Sequence, residues 1–249
     1  MRKLAVLALM GMFGTCIQTS AQTHAPAPAK PKAATNPKAG TGAKTGTGAA
    51  RPYDRALLRP ALLKEKAPET FQVKFTTTRG DFVATVNRSW APIGADRFYN
   101  LVKHHFYDNA SFFRVVPGFV VQFGLSAYPP VSAAWEKANL QDEPVIQSNK
   151  RGYLTYAKTS MPNTRSTQIF INLKDNASLD RQGFSPFGFV DAQGMKVVEM
   201  LYDQYGDSGP DQDQISKLGK PYIDKGWPKL DSIKTATSVV VAPEAAKSK

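Results

Sequence analysis

The feature that most narrows the fold of this 249-residue chain is the brevity of its apolar runs. From Phe71 onward they come in strand-length pieces, FQVKFTTTRGDFVATV, VVPGFVVQF, GYLTYAK, STQIFINL and SPFGFV, punctuated by Gly, Pro, Asn or Asp. In the first piece Phe71, Val73 and Phe75 alternate with polar neighbours, and Phe82, Ala84 and Val86 do so beyond the turn at Arg79-Gly80-Asp81. A period of two puts such residues on one side of a strand, so this piece reads as a hairpin with one buried face. Only two stretches follow helical spacing. IGADRFYNLVKHHFY aligns Phe98, Val102 and Phe106, and GMKVVEMLYDQYG groups Val197, Val198, Leu201 and Tyr202 before stopping near Gly206. Many short strands with two helices predict a mainly β, closed or nearly closed antiparallel barrel whose ends the helices cover. Phe75, Phe82, Phe98 and Phe106 are large enough to fill its interior, which argues against a hollow barrel storing an apolar ligand.

The front of the chain has a different character. MRKLAVLALMGMFGTCIQTSAQ has basic Arg2 and Lys3, an apolar run from Leu4 to Phe13, and small residues at Thr19 and Ala21. That is the pattern of an export signal spanning residues 1–21, with an apolar run too short for a permanent membrane span. Cleavage after Ala21 removes Cys16, the single cysteine of the sequence, as befits a periplasmic or other extracytoplasmic protein. Phe13 and Thr15 fit poorly with a lipid anchor at Cys16. The Ala-, Pro-, Lys- and Gly-rich text that follows has no apolar face to bury, so residues 22–66 read as a flexible cationic linker. Within it GTGAKT lacks the glycine before lysine that a phosphate loop requires.

The net charge of +12 suggests a polyanionic partner until it is located. Residues 1–66 hold eleven Lys or Arg against two acids, leaving only +3 on the remainder. Nucleic-acid binding by the domain is not expected. Nor is a metal site: of three histidines, His24 lies in the linker, and His104 and His105 are neighbours pointing about 100° apart on a helix. No Gly-x-Ser-x-Gly elbow occurs, and Asp175, Asp180 and Asp191 sit in turns where Asp serves backbone hydrogen bonding. The inventory points to chemistry without a covalent intermediate.

SFFRVVPGFVVQFG, residues 111–124, places one arginine among core-type residues. Read as two strands around Pro117-Gly118, alternation puts Phe113 and Val115 on one face and Phe112, Arg114 and Val116 on the other. Val120 and Gln122 then share a face opposite Phe119, Val121 and Phe123. A cation and an amide beside an apolar patch suit a ligand site. Alternation alone favours the plainer reading, a surface arginine paired with a carboxylate and a Gln122 that is merely exposed.

FFRVVPGFVVQFG, followed by GYLTYAK, MPNTRSTQIFINLKDNASLD, SPFGFV and GMKVVEMLY, resembles the cyclophilin family of peptidyl-prolyl cis-trans isomerases, in order, over nearly all of residues 69–241. The resemblance implies a closed eight-stranded antiparallel barrel capped by two α-helices over residues 67–241, with GWPKLDSIKTATSVV as the last strand and 242–249 as a flexible tail. It implies Arg114 as the catalytic arginine, Phe119 and Phe170 as floor and wall of a proline pocket, and Gln122 as a substrate-amide contact. Val120 stands where methionine is common, Gln168 lies behind the wall, and Leu179 is an apolar pocket residue. Ala157 and Lys158 fall where the family offers backbone groups to an extended peptide. The implied partners are proline-containing polypeptides, bound without cofactor or metal by a protein expected to be a monomer.

Three departures stand out. Phe-His-Arg is here Phe112-Phe113-Arg114, Ser178 falls at or near the family's tryptophan, and Phe184 replaces the pocket histidine. LSAYPPVSAAWEKANLQDEP replaces the Gly-rich loop that bounds the substrate groove. The competing expectation is therefore a cyclophilin-fold chaperone or binding module that grips proline-containing segments with little turnover.

Overall fold

A computed structural model of the protein describes residues 52–239; the expected export signal, most of the expected linker and the expected tail lie outside them. Eight strands form one antiparallel sheet curled into a half-barrel: β1 Thr70–Thr77, β2 Asp81–Asn87, β3 Arg114–Val116, β4 Val120–Phe123, β5 Tyr153–Tyr156, β6 Ile169–Asn172, β7 Pro186–Val190 and β8 Ile233–Val239. Their order across the sheet is β3-β4-β6-β5-β7-β2-β1-β8. The edge strands β3 and β8 form no ladder with each other. Instead Ser111 and Ser232 make an isolated bridge, flanked by Asn109 N–H donating to the Ile233 carbonyl at 2.8 Å and Phe112 N–H to that of Asp231 at 3.0 Å.

The period-two pattern explains why the interior fills. Phe71, Val73, Phe75, Phe82, Ala84 and Val86 are all buried on the concave side. Phe75 stacks on Phe82 at 4.8 Å and meets Phe98 at 6.3 Å and Phe123 at 5.8 Å, so aromatic rings occupy the space the strands enclose.

Helices depart from the expected pair. α1, Pro92–Lys103, opens with proline at its first position and buries Ala95, Phe98, Leu101 and Val102. The expected second helix stops early: α3 covers only Ala192–Val198, N-capped by Asp191, which accepts Gly194 N–H at 2.8 Å. Three more helices lie outside the expected pair, α2 Pro129–Trp135 within the LSAYPPVSAAWEKANLQDEP segment, and α4 Gln212–Leu218 and α5 Lys220–Gly226 within residues 206–227.

The linker was expected to run to residue 66, and here too the structure differs. Residues 55–62 form two short 3-10 helices, Leu57 is 1 % exposed, and its carbonyl accepts Trp135 Nε1–H at 2.8 Å. The Asn100 side chain holds the backbone of Glu65 at both N–H (3.1 Å) and carbonyl (2.7 Å). Composition concealed this because Leu57 is the one fully buried residue of the segment, and Tyr53, Leu58 and Leu63, which pack beside it half-buried, follow no periodic face.

Candidate active site

The hairpin β3–β4 forms at its expected place. Phe119 N–H donates to the Val116 carbonyl at 3.0 Å across Pro117-Gly118, and Gly118 takes φ +65°, a conformation that disfavours a side chain. Arg114 pairs with Gln122, Val115 with Val121 and Val116 with Val120, so Arg114, Val116, Val120 and Gln122 share one face.

Upstream of Arg114 the expected alternation fails. Phe112 packs in the main core against Phe123 at 5.2 Å, on the side of Val115, while Phe113 turns outward into a cluster with Ile215 and Ile223. The physical reason is that β3 begins at Arg114: residues 111–113 hydrogen-bond toward 231–233 instead of continuing the β3–β4 ladder, so period two does not apply to them.

Every residue assigned from the sequence reaches one site. Val120, Phe170, Leu179 and Phe184 form a buried apolar cluster, with Phe119 and Ala157 packed against it. Phe170 lies opposite Gln122 across β4–β6 and meets Phe184 edge-on, centroids 5.8 Å apart. Along one side runs a polar chain. The Arg114 guanidinium, its side chain 12 % exposed, donates Nη1–H to Gln122 Oε1 at 3.2 Å and lies 5.7 Å from the centre of the Phe119 ring. Gln122 Nε2 donates to Gln168 Oε1 at 2.8 Å, so its amide is oriented at both ends. Ala157 N–H donates to the Gln168 carbonyl at 2.9 Å. Lys158 closes the far end, Nζ 5.6 Å from the Phe184 ring centre and 3.6 Å from an Asp142 carboxylate oxygen.

What this arrangement can do follows from its materials. A buried apolar cup suits a small apolar ring, and a permanently charged donor at its rim suits an amide undergoing electronic change.

A protein-family model described as cyclophilin type peptidyl-prolyl cis-trans isomerase/CLD matches residues 72–220. The chain belongs to that family. Among curated relatives it is 32% identical over 156 residues to peptidyl-prolyl cis-trans isomerase A of Dickeya dadantii, covering 61% of this chain and 82% of the relative. It is 33% identical to peptidyl-prolyl cis-trans isomerase B of Escherichia coli, covering 57% of this chain and 90% of that one. A crystal structure of a Cryptosporidium parvum cyclophilin-type isomerase superposes with a TM-score of 0.50 over 70% of this chain and 99% of that one, a likeness of fold at 20% identity.

Two supports of this cyclophilin site escaped the sequence reading. The first is a polar lattice beneath the pocket. Asn149, fully buried, donates Nδ2–H to Asp180 Oδ1 and to the Phe184 carbonyl, each at 2.8 Å, and the Asn176 side chain donates to the Phe119 carbonyl at 3.0 Å. These bonds tie the segment bearing Leu179 and Phe184 to the hairpin bearing Phe119. Burial raises the Asp180 carboxyl, yet hydrogen bonds from Ser148 and from the Asn149 side chain and backbone outweigh it and hold the group below its ordinary value. Asp175 and Asp180 both accept backbone N–H groups, but from the distant Arg151 and Asn149 and not from their own turns.

The second is Asp207. Its Oδ1 accepts Arg114 Nε–H at 2.6 Å from a 3-10 turn at Gly206–Ser208. Both readings of Arg114 are thus met at once: it is paired with a carboxylate, and it stands beside Gln122 and Phe119. An acid 93 residues along the chain carries no local signal of such a contact.

Proposed function

We propose that the protein is an exported isomerase that accelerates prolyl-limited folding of envelope or secreted polypeptides, with Arg114 as the group that lowers the barrier. Rotation about a peptide bond is opposed by ~18–20 kcal/mol because the nitrogen lone pair is delocalised, and uncatalysed X-Pro exchange takes tens to hundreds of seconds. A hydrogen bond to the prolyl nitrogen localises that lone pair. Arg114 is suited to give one: it is charged at any working pH, and its surroundings exclude enough water to strengthen the donor. Phe119, Val120, Phe170, Leu179 and Phe184 hold the prolyl ring while the acyl side turns, Gln122 contacts the substrate amide beside Gln168, and Ala157 and Lys158 line the extended chain. The observation that carries the reading is the meeting of a nearly buried guanidinium with the apolar cluster of Val120, Phe170, Leu179 and Phe184, against which Phe119 packs.

Closure of the half-barrel into the helix-capped barrel expected over residues 67–241 is part of this reading, and the isolated Ser111–Ser232 bridge between its edges supports it. Export rests on the character of residues 1–21. A fusion of that segment to a reporter active only outside the cytoplasm is expected to give signal; an inactive fusion overturns export. Protease-coupled or NMR exchange measurement on a short X-Pro peptide, using the full chain, tests catalysis: Arg114→Ala is expected to abolish most turnover, and unchanged turnover overturns the role given to Arg114.

Phe184 at the position of the family's histidine favours one second reading, a holdase that binds proline segments with little turnover. Peptide affinity that persists while wild-type turnover stays near the uncatalysed rate would select it.

A further inference from the structure

A guanidinium is planar, and its catalytic value depends on where its free N–H groups point. In this site two atoms of the plane are already held. Nε–H goes to Asp207 and one Nη1–H goes to Gln122, and among the described residues Nη2 has no partner. A plane pinned at two atoms cannot swing about its long side chain, so the free edge is presented in one orientation.

The turn that supplies Asp207 is itself fastened to the strand that carries Arg114. A Cβ placed on Gly209 would lie 2.7 Å from the Phe113 carbonyl oxygen, so this backbone rests directly on the residue preceding Arg114. Ser208 N–H donates to the Tyr205 carbonyl at 2.9 Å and Gly206 N–H to that of Asp203 at 3.0 Å, closing the turn on itself. Behind it, Ile215 of α4 and Ile223 of α5 bury Phe113 from the outside. The 206–227 segment is therefore a small buttress against β3, with one carboxylate aimed at the arginine.

We propose that Asp207 is a positioning residue for the isomerisation, which fixes the Arg114 guanidinium so that its remaining donors meet the prolyl amide; this rests on the role given to Arg114 above. A carboxylate beside a cation has two opposed effects. It orients the cation, and it weakens the cation's field. The Asp207 side chain is 66% exposed, so water screens its charge strongly, whereas the direction imposed by a 2.6 Å hydrogen bond is not screened. Orientation is the effect that survives.

Three variants of the full chain test this with an X-Pro peptide. Asp207→Ala is expected to lower kcat roughly fivefold to tenfold with KM within about twofold, the signature of lost alignment. Asp207→Asn keeps an oxygen acceptor for Nε–H without the charge and is expected to recover most of kcat. Asp207→Ala added to Arg114→Ala is expected to change nothing more, because Asp207 acts through the arginine. Wild-type or raised kcat in Asp207→Ala, an asparagine variant as slow as the alanine one, or a further loss in the double variant each overturns the proposal. Full activity in Arg114→Ala would instead remove the reading beneath it, whereas an inactive Arg114→Ala beside a normal Asp207→Ala removes only the inference.

Discussion

The two sides of the site are built on opposite plans. The apolar side, Val120, Phe170, Leu179 and Phe184, comes from the neighbouring strands β4 and β6, the 3-10 segment Ala177–Gln182 and the residue after its Gly183 cap, and is held by packing. The polar side, Asp207, Arg114, Gln122 and Gln168, is a chain of single hydrogen bonds from three separate parts of the sequence, one of them the buttress at 206–227. On the proposed reading the difference teaches how labour divides: packing tolerates redistribution and would set affinity, whereas a chain of single bonds aligns one group and would set rate.

That division breaks or sharpens under substitution. Arg114→Ala carries the largest expected effect, a loss of about 10²–10³ in kcat, the scale for removing one preorganised donor, with peptide affinity nearly kept. Steady-state kinetics beside a binding titration read both, and an equal loss in affinity would erase the contrast between the sides. Phe170→Ala should act the other way, raising KM roughly tenfold and costing ~3–5 kcal/mol of stability as a buried aromatic is emptied, read by denaturant unfolding. Gly209→Ala is expected to slow kcat by roughly threefold at unchanged KM, since a methyl group there must push the turn off Phe113 and misalign Asp207 without removing it. A rise in KM instead would mean the buttress shapes the pocket.

The smallest effect concerns the lattice beneath the pocket. Because the folded Asp180 carboxyl lies below its ordinary value, its contribution to stability is fully present above about pH 4 and is lost as pH falls through the lower folded value. Asp180→Asn should flatten this acid-limb loss while lowering stability at neutral pH, as unfolding at stepped pH would record.

How legible the site was depended on the range of the interactions. The β3–β4 hairpin was readable because Pro117-Gly118 and the flanking valines encode it within ten residues or so. The faces of Phe112 and Phe113 were misread because alternation is a property of a paired ladder, and the ladder starts at Arg114. α4 did leave a signal, Asp211 three residues before Gln214, whose N–H it accepts at 2.8 Å, but an amphipathic row of seven residues is too short to stand out. Asp207 left none. An ion pair between distant segments is decided by the fold and not by either neighbourhood.

The docking of Leu57 beneath Trp135 has a mechanical consequence. A force arriving through residue 52 meets the Tyr53–Tyr128 contact and the Asp54–His104 hydrogen bond first, then Leu57 at Trp135 and the Asn100 clasp on Glu65, and only afterwards β1. These anchors lie in series and would yield one at a time. Load from the front of the chain is thereby spent before it can shear the strands that carry Arg114 and Phe170.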